Sequence, residues 1–270
     1  MQIGVTLRNM GDQATAAVMR AGAQAAEARG FESLWITDHI AIPPDDAEGS
    51  GGLYLDTLTT LAWLAAATDS IRLGSGVLIL PYRAALPTAK QIATVQTLSG
   101  GRLVMGVGIG WMDAEFKALG VDRHRRGQIS DATLRFINTC FEHDEVMANG
   151  QSFLFKPRPP KPPLLIGGRA PHALARAVSY GDGWLPMARR PDQLRDDINT
   201  YRHMAEEAGK TATVTVMAAL PEDAAGARAL RDGYGELGVD RLVCAVRYET
   251  LPQYAVRLDE LAAWLDLQPR

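Results

Sequence analysis

The sequence predicts an α/β fold, a (β/α)8 TIM barrel built as a single domain over residues 1–270. Three observations predict it. Short β-rich apolar runs alternate with longer amphipathic stretches along the whole chain, and eight such units can be counted. The length of 270 residues suits an eight-fold barrel, which typically uses about 250. No low-complexity tract, like-charge block or internal sequence repeat interrupts the alternation. A doubly wound open sheet would alternate in the same way, but count and length favour the barrel.

The first strand run is Gln2 to Leu7. A helix follows from near Asp12, with Val18, Ala21, Ala25 and Ala28 at helical spacing and Gly30 as its stop. The second run is Ser33 to Thr37. A polar Pro/Gly-rich loop from Ile42 to Gly52 leads to a helix over about Asp56 to Thr68. The third is Ile71 to Leu80, with a helix from about Pro87 to Leu98. The fourth is Arg102 to Val107, then a loop, then a helix from about Ser130 to Phe141. Glu145 to Pro163, with five prolines after Lys156, reads as an inserted excursion. The second half repeats the pattern. Pro163 to Ile166 precedes a helix opening at Pro171, and Gly183 to Leu185, a weak strand signal, precedes one opening near Asp192. Val214 to Met217 precedes Glu222 to Leu237, and Arg241 to Val246 precedes Leu251 to Leu265.

Composition excludes several function classes. Apolar residues make up 47% of the chain, charged residues 22%, and the formal net charge is −3. Such a balance offers no broad phosphate-binding surface, so no nucleic-acid partner is expected. Cys140 and Cys244 lie in no CxxC or Cys/His cluster and cannot form a disulfide framework, which makes a cytoplasmic setting the expectation. Met1 to Arg8 lacks the pattern of a signal peptide. The most apolar helical segment, Leu58 to Thr68, is far short of the roughly 20 residues that span a bilayer.

In a barrel of this kind the reactive groups sit at the C-terminal ends of the strands. Asp38 and His39 follow the second strand. An imidazole in a cleft there can exchange protons near neutral pH, its ordinary pKa being about 6.5; equally, Asp38 could cap a turn on which His39 simply packs. The remaining histidines, at 124, 143, 172 and 203, show no metal-ligand spacing, and no metal is expected. Gly106, Gly108 and Gly110 alternate at the end of the fourth strand and clear one face, either for a flat ligand or for packing. They are no dinucleotide fingerprint, because Trp111 stands where GxGxxG needs its last glycine. Gly167-Gly168-Arg169-Ala170-Pro171 would present backbone N–H groups at a helix start, a setting that favours a phosphate, with Arg169 adding charge. Gly74-Ser75-Gly76-Val77 interrupts a strand and predicts a bulge that could support a planar ligand. Of the tryptophans near strand ends, Trp35 reads as core and Trp111 as the one placed over a ligand.

These residues resemble the luciferase-like monooxygenase superfamily, in particular its coenzyme F420-dependent oxidoreductase branch. The resemblance runs from Gln2 to about Gly209. It is carried by SGVLILPYR (Ser75 to Arg83), the stretch Ala89 to Val121, SLWITDHI (Ser33 to Ile40) and the stretch Pro162 to Pro186, in that family's order. It implies a barrel with a flavin-like tricycle in its mouth. Asp38 and His39 would border the redox face of the ring. Ser75, Gly76 and Val77 would form the bulge behind it, often a non-proline cis peptide in the family. Gly108, Ile109 and Gly110 would line the ring, Gly167, Gly168 and Arg169 would hold the phosphate, and Trp111 would face the substrate. Trp111 also occupies the place where the sugar-phosphate dehydrogenases of this branch carry a glutamate acid, which argues against that chemistry here. A homodimer is implied as well.

The expectation is therefore an F420-dependent oxidoreductase that moves a hydride between the deazaflavin C5 and a small organic substrate. His39 would give or take the proton, and Asp38 would tune the local field. The alternative is an FMN-dependent monooxygenase using reduced flavin and oxygen on the same fold. A non-catalytic flavin-binding barrel is a third reading. A cofactor-free hydrolase or aldolase would need paired carboxylates or a lysine at a strand end, and neither is seen.

Overall fold

The computed structural model describes residues 1–187 and 190–269. β1 (Gln2–Thr6), α1 (Ala16–Ala28), β2 (Ser33–Ile36), α2 (Thr57–Ala67), β3 (Arg72–Ile79), α3 (Ala85–Leu98) and β4 (Leu103–Gly108) alternate through the first half. Two helices follow, α4 (Asp113–Ala118) and α5 (Arg126–Glu142), and then a hairpin of β5 (Glu145–Ala148) and β6 (Gln151–Leu154). Alternation resumes with β7 (Leu164–Gly167), α6 (His172–Tyr180), β8 (Gly183–Leu185), α7 (Pro191–Glu207), β9 (Thr215–Ala218), α8 (Ala224–Glu236), β10 (Arg241–Cys244) and α9 (Leu251–Trp264).

Eight of the strands form one parallel sheet in the order β8-β7-β4-β3-β2-β1-β10-β9. A parallel bridge between Trp184 and Val214 joins its two ends, so the sheet curls into the (β/α)8 barrel. The seam is the weakest pairing because β8 has only three residues, Gly183–Leu185. Helix starts are set by local side chains. Thr15, Asp56 and Asp223 each accept a hydrogen bond from a backbone N–H in the first turn of α1, α2 and α8, and Thr250 with Gln253 forms a reciprocal capping pair on α9.

Two sequence expectations are corrected. In α1 the buried face is Met19, Gly22, Ala23 and Ala26, whereas Ala28 is exposed and Val18, Ala21 and Ala25 are only partly covered. This alanine-rich helix carries small apolar residues in both registers. The larger Met19 turns inward, and a Cβ on Gly22 would press on the Leu7 and Tyr254 side chains. The segment 145–163 lies off the barrel sheet, as the expected excursion does, and carries a hairpin that Asn149 and Gly150, both at positive φ, close between β5 and β6. Asn-Gly is a strong hairpin signal. Finally, the loop expected between β4 and α5 contains α4, and α5 starts a turn earlier than Ser130.

The barrel interior is filled from the strand-start end. Trp35, Val104, Leu165, Leu185 and Val243 form their own buried cluster, with Val77 and Met217 packed against it. Below them Arg241 is buried, bonded to Glu32 at 2.8 and 2.9 Å and to the Gln2 side chain at 2.7 Å. Its guanidinium lies 5.9 Å from the Trp35 ring centre. That plug leaves room for a ligand only at the opposite, C-terminal mouth.

Candidate active site

The mouth holds a cavity of about 560 Å3, within the range of roughly 300–1,000 Å3 usual for small-molecule and cofactor sites. Its lining is mostly apolar: Val77, Ile79, Ile109, Leu185 and Met217 on the strand ends, with Trp111 and Met187 on the loops. Thr37, Asp38 and His39 border it from the end of β2.

The β3 bulge lies where the sequence placed it. Pairing with β4 shifts register between Ser75 and Leu78, and the Gly76–Val77 peptide is cis. Gly76 and Val77 reach the cavity. Ser75 is fully buried, and its Oγ donates to the Gly106 carbonyl at 2.8 Å.

The β4 glycines serve packing first. A Cβ on Gly106 would collide with the Ser75 carbonyl oxygen, and one on Gly108 would come within 2.5 Å of the Val77 side chain. Gly108, Ile109 and Gly110 nevertheless line the cavity, beside the Val77 that the glycine makes room for. Gly106→Ala is expected to destabilise the fold by about 1–3 kcal/mol through overpacking, read as a lower urea midpoint at unchanged slope.

Gly167 and Gly168 edge the cavity, while Arg169 is exposed and not part of the lining. The Gly168 N–H donates to the Leu185 carbonyl at 3.2 Å, and the Gly168 carbonyl accepts from the Trp184 indole at 3.0 Å. The Ala173 N–H is engaged by the Arg169 carbonyl at 3.1 Å. A phosphate at this helix start would therefore rely on the other amides of the turn and on the Arg169 side chain.

Asp38 and His39 point to different partners, as neighbours on an extended segment do. Asp38 is only 3% exposed. Both its oxygens are bound by Arg83 at 2.7 Å, with further hydrogen bonds from Thr57 Oγ1 at 2.7 Å and the Ile79 N–H at 2.8 Å. Arg83 also reaches Asp56 at 3.0 Å. Burial alone would lower the Arg83 pKa, but the bonds and charge of Asp38, then of Asp56, outweigh it and keep the guanidinium charged.

His39 faces the other way. Its Nδ1 lies 2.7 Å from Glu115 Oε2, and its ring meets Tyr54 and Trp111 edge-on, at 4.9 and 6.5 Å between centroids. Nε2 has no hydrogen-bond partner among the described residues. Glu115 is fully buried. Its Oε1 accepts the N–H groups of Ile40 at 2.7 Å and Ala41 at 3.0 Å, and its Oε2 also accepts Tyr82 Oη at 3.0 Å. Burial would raise this carboxyl's pKa, but the two amides and the imidazole overcome it and hold the group below the ordinary value. The Tyr82 phenol is pushed far up by burial and by the Glu115 charge, so it stays a donor.

Glu115 and Tyr54 were absent from the sequence-derived candidates, whereas Tyr82 lies in the strand-end motif Ser75 to Arg83. A signal for Glu115 did exist: it lies in α4 between Met112 and Phe116, both buried, so a charged residue occupies an apolar helix face. Among the described residues no group of three or more His, Cys, Asp or Glu is placed to hold a metal ion. Among the described residues no helix is long and apolar enough to cross a membrane.

A barrel whose interior is plugged at one end, with a ring-sized apolar cavity and a carboxylate-backed imidazole at the other, is built as an enzyme for an organic ligand. The chain belongs to the luciferase-like monooxygenase family, whose model matches residues 1–257. An uncharacterised protein of Mycobacterium tuberculosis is 32% identical over 207 residues, covering 70% of this chain and 72% of the relative. The 5,10-methylenetetrahydromethanopterin reductase of Methanolobus tindarius is 28% identical over 193 residues, 70% of this chain and 55% of that one. Among solved structures, the monooxygenase RslO1 from Streptomyces bottropensis superposes with TM-score 0.83 at 19% identity, covering 98% of both chains. The coenzyme F420-dependent tetrahydromethanopterin reductase of Methanopyrus kandleri gives 0.72 at 16% identity over 99% of both. The protein is thus an enzyme of the luciferase-like superfamily, with a coenzyme F420-dependent reductase and a monooxygenase among its structural neighbours.

Proposed function

We propose that the protein is a coenzyme F420-dependent oxidoreductase acting on a small organic substrate, with His39 exchanging the substrate's proton. The observation that carries this reading is the chemistry of the cavity wall. Of the described lining residues only Asp38 and His39 ionise, and both Asp38 oxygens are engaged by Arg83. The imidazole is left as the one group able to move a proton there.

The residues present fit a flat, tricyclic group. Val77, Ile109 and Leu185 offer it an apolar bed, Gly167 and Gly168 open one edge, and Arg169 with the start of α6 suits a phosphate beyond that edge. When bound, a deazaflavin would supply the hydride chemistry at C5. The chain's own residues do the rest. The apolar wall excludes water, Trp111 covers the substrate side, and His39 Nε2 holds or delivers a proton. Trp111, in place of an acid, suits a substrate other than a sugar phosphate. The coenzyme F420 dependence of the Methanopyrus kandleri reductase, which shares the fold, supports this cofactor.

FMN with oxygen is the second reading, favoured by the close superposition on a monooxygenase. Titrating the purified protein in parallel with F420 and FMN, by fluorescence, separates the two. Tight binding of the deazaflavin is the expected result. Preference for FMN would overturn it in favour of a monooxygenase. The cysteine usage leads us to propose a cytoplasmic setting and the family resemblance a homodimer, its stoichiometry readable by light scattering.

A further inference from the structure

We infer that Glu115 is a positioning residue that fixes His39 in the tautomer with its proton on Nδ1, leaving the Nε2 lone pair for the substrate. The inference rests on the proposed role of His39 and adds the device that prepares it.

The argument is one of donors and acceptors. The Ile40 and Ala41 amides can only donate, and both donate to Glu115 Oε1. That leaves Oε2 for His39 Nδ1 at 2.7 Å and Tyr82 Oη at 3.0 Å. An ionised carboxylate only accepts, and the two amides and the Tyr82 hydroxyl, three donors that do not depend on the state of His39, surround the fully buried Glu115 as they would an ionised carboxylate. Nδ1 must then be the donor. In the neutral ring Nε2 is therefore the bare nitrogen, and a second proton there makes an imidazolium balanced by the carboxylate behind it. The other groups near the ring do not compete. Tyr54 and Trp111 touch it edge-on, and Asp38 is held by Arg83.

Glutamine at 115 would reverse this order. Its single carbonyl oxygen has to face the Ile40 and Ala41 amides, which turns its NH2 group toward His39. Nδ1 must then accept, and the proton moves to Nε2, where the base function is blocked.

The test is 15N NMR of the histidine-labelled protein without cofactor, the His39 signals being identified by their loss in His39→Ala. The wild type is expected to show a protonated Nδ1 and a bare Nε2 in the neutral ring, and Glu115→Gln the opposite pair. Tyr82→Phe should keep the wild-type tautomer, since it removes only the other donor. In the loaded enzyme Glu115→Gln should lower kcat by about 10^2–10^4, with KM and F420 affinity changed by less than about threefold. A wild-type ring protonated on Nε2, or a folded Glu115→Gln protein with the wild-type tautomer, would overturn the inference. Should Glu115→Gln fail to fold, the wild-type and Tyr82→Phe spectra decide it. If the tautomer is as stated but F420 does not bind, the cofactor reading fails while the role of Glu115 stands.

Discussion

Replacing His39 by alanine is expected to lower turnover by about 10^2–10^4, the usual contribution of a positioned proton-transfer group. The affinity for the deazaflavin should change by less than about threefold. The asymmetry follows from the site. His39 lies at the cavity wall, its Nε2 without a hydrogen-bond partner among the described residues, but the bed of the cavity is made by Val77, Ile109 and Leu185 from other segments. Losing the imidazole removes the proton exchange and leaves the bed in place. Single-turnover absorbance of the cofactor, together with a fluorescence titration, reads both quantities. A mutant as fast as the wild type would remove His39 from the chemistry. Equal losses in binding and turnover would make it a packing residue.

The second large effect concerns stability. Arg83→Met is expected to destabilise the fold by about 3–5 kcal/mol, because it strands a buried carboxylate without its counter-charge. For a chain of this size that corresponds to a fall in Tm of roughly 6–15 °C. Asp38 would keep only Thr57 Oγ1 and the Ile79 N–H, which cannot replace two charge-assisted bonds of 2.7 Å. Arg83→Lys, with the charge but without the planar fork, should fall between the two. Thermal unfolding checks the series. The same network makes a prediction for Asp38 itself: Asp38→Asn should lower Tm first, and turnover only as far as the β2 end is displaced. A full loss of turnover at unchanged Tm would show that Asp38 acts on the chemistry directly.

Much of this architecture was readable from residue order. The alternation of short apolar runs with amphipathic stretches predicted eight strand–helix units, and even the weak run at 183–185 forms a strand, β8. Gly76-Val77 marked the bulge, and the rule that chemistry gathers at strand ends led to His39. The reading was poorer where the pattern was degenerate. In α1, alanines on every side made two faces equally apolar, and contact with the barrel selected the one with Met19. The β4 glycines left two meanings open, and the structure shows neighbours from β3 in the space their side chains would need.

By itself, the sequence determined the barrel, the strand ends on which chemistry could sit, and the imidazole among them, because these depend on local periodicity and on residue type. Only the tertiary structure decided what the charged groups do. Asp38 and His39 are adjacent in sequence, yet one is bound by Arg83 and the other by Glu115, from segments far along the chain. Partner choice of that kind follows from which segments the barrel brings to one end. A buried carboxylate has to find its donors wherever the fold places them.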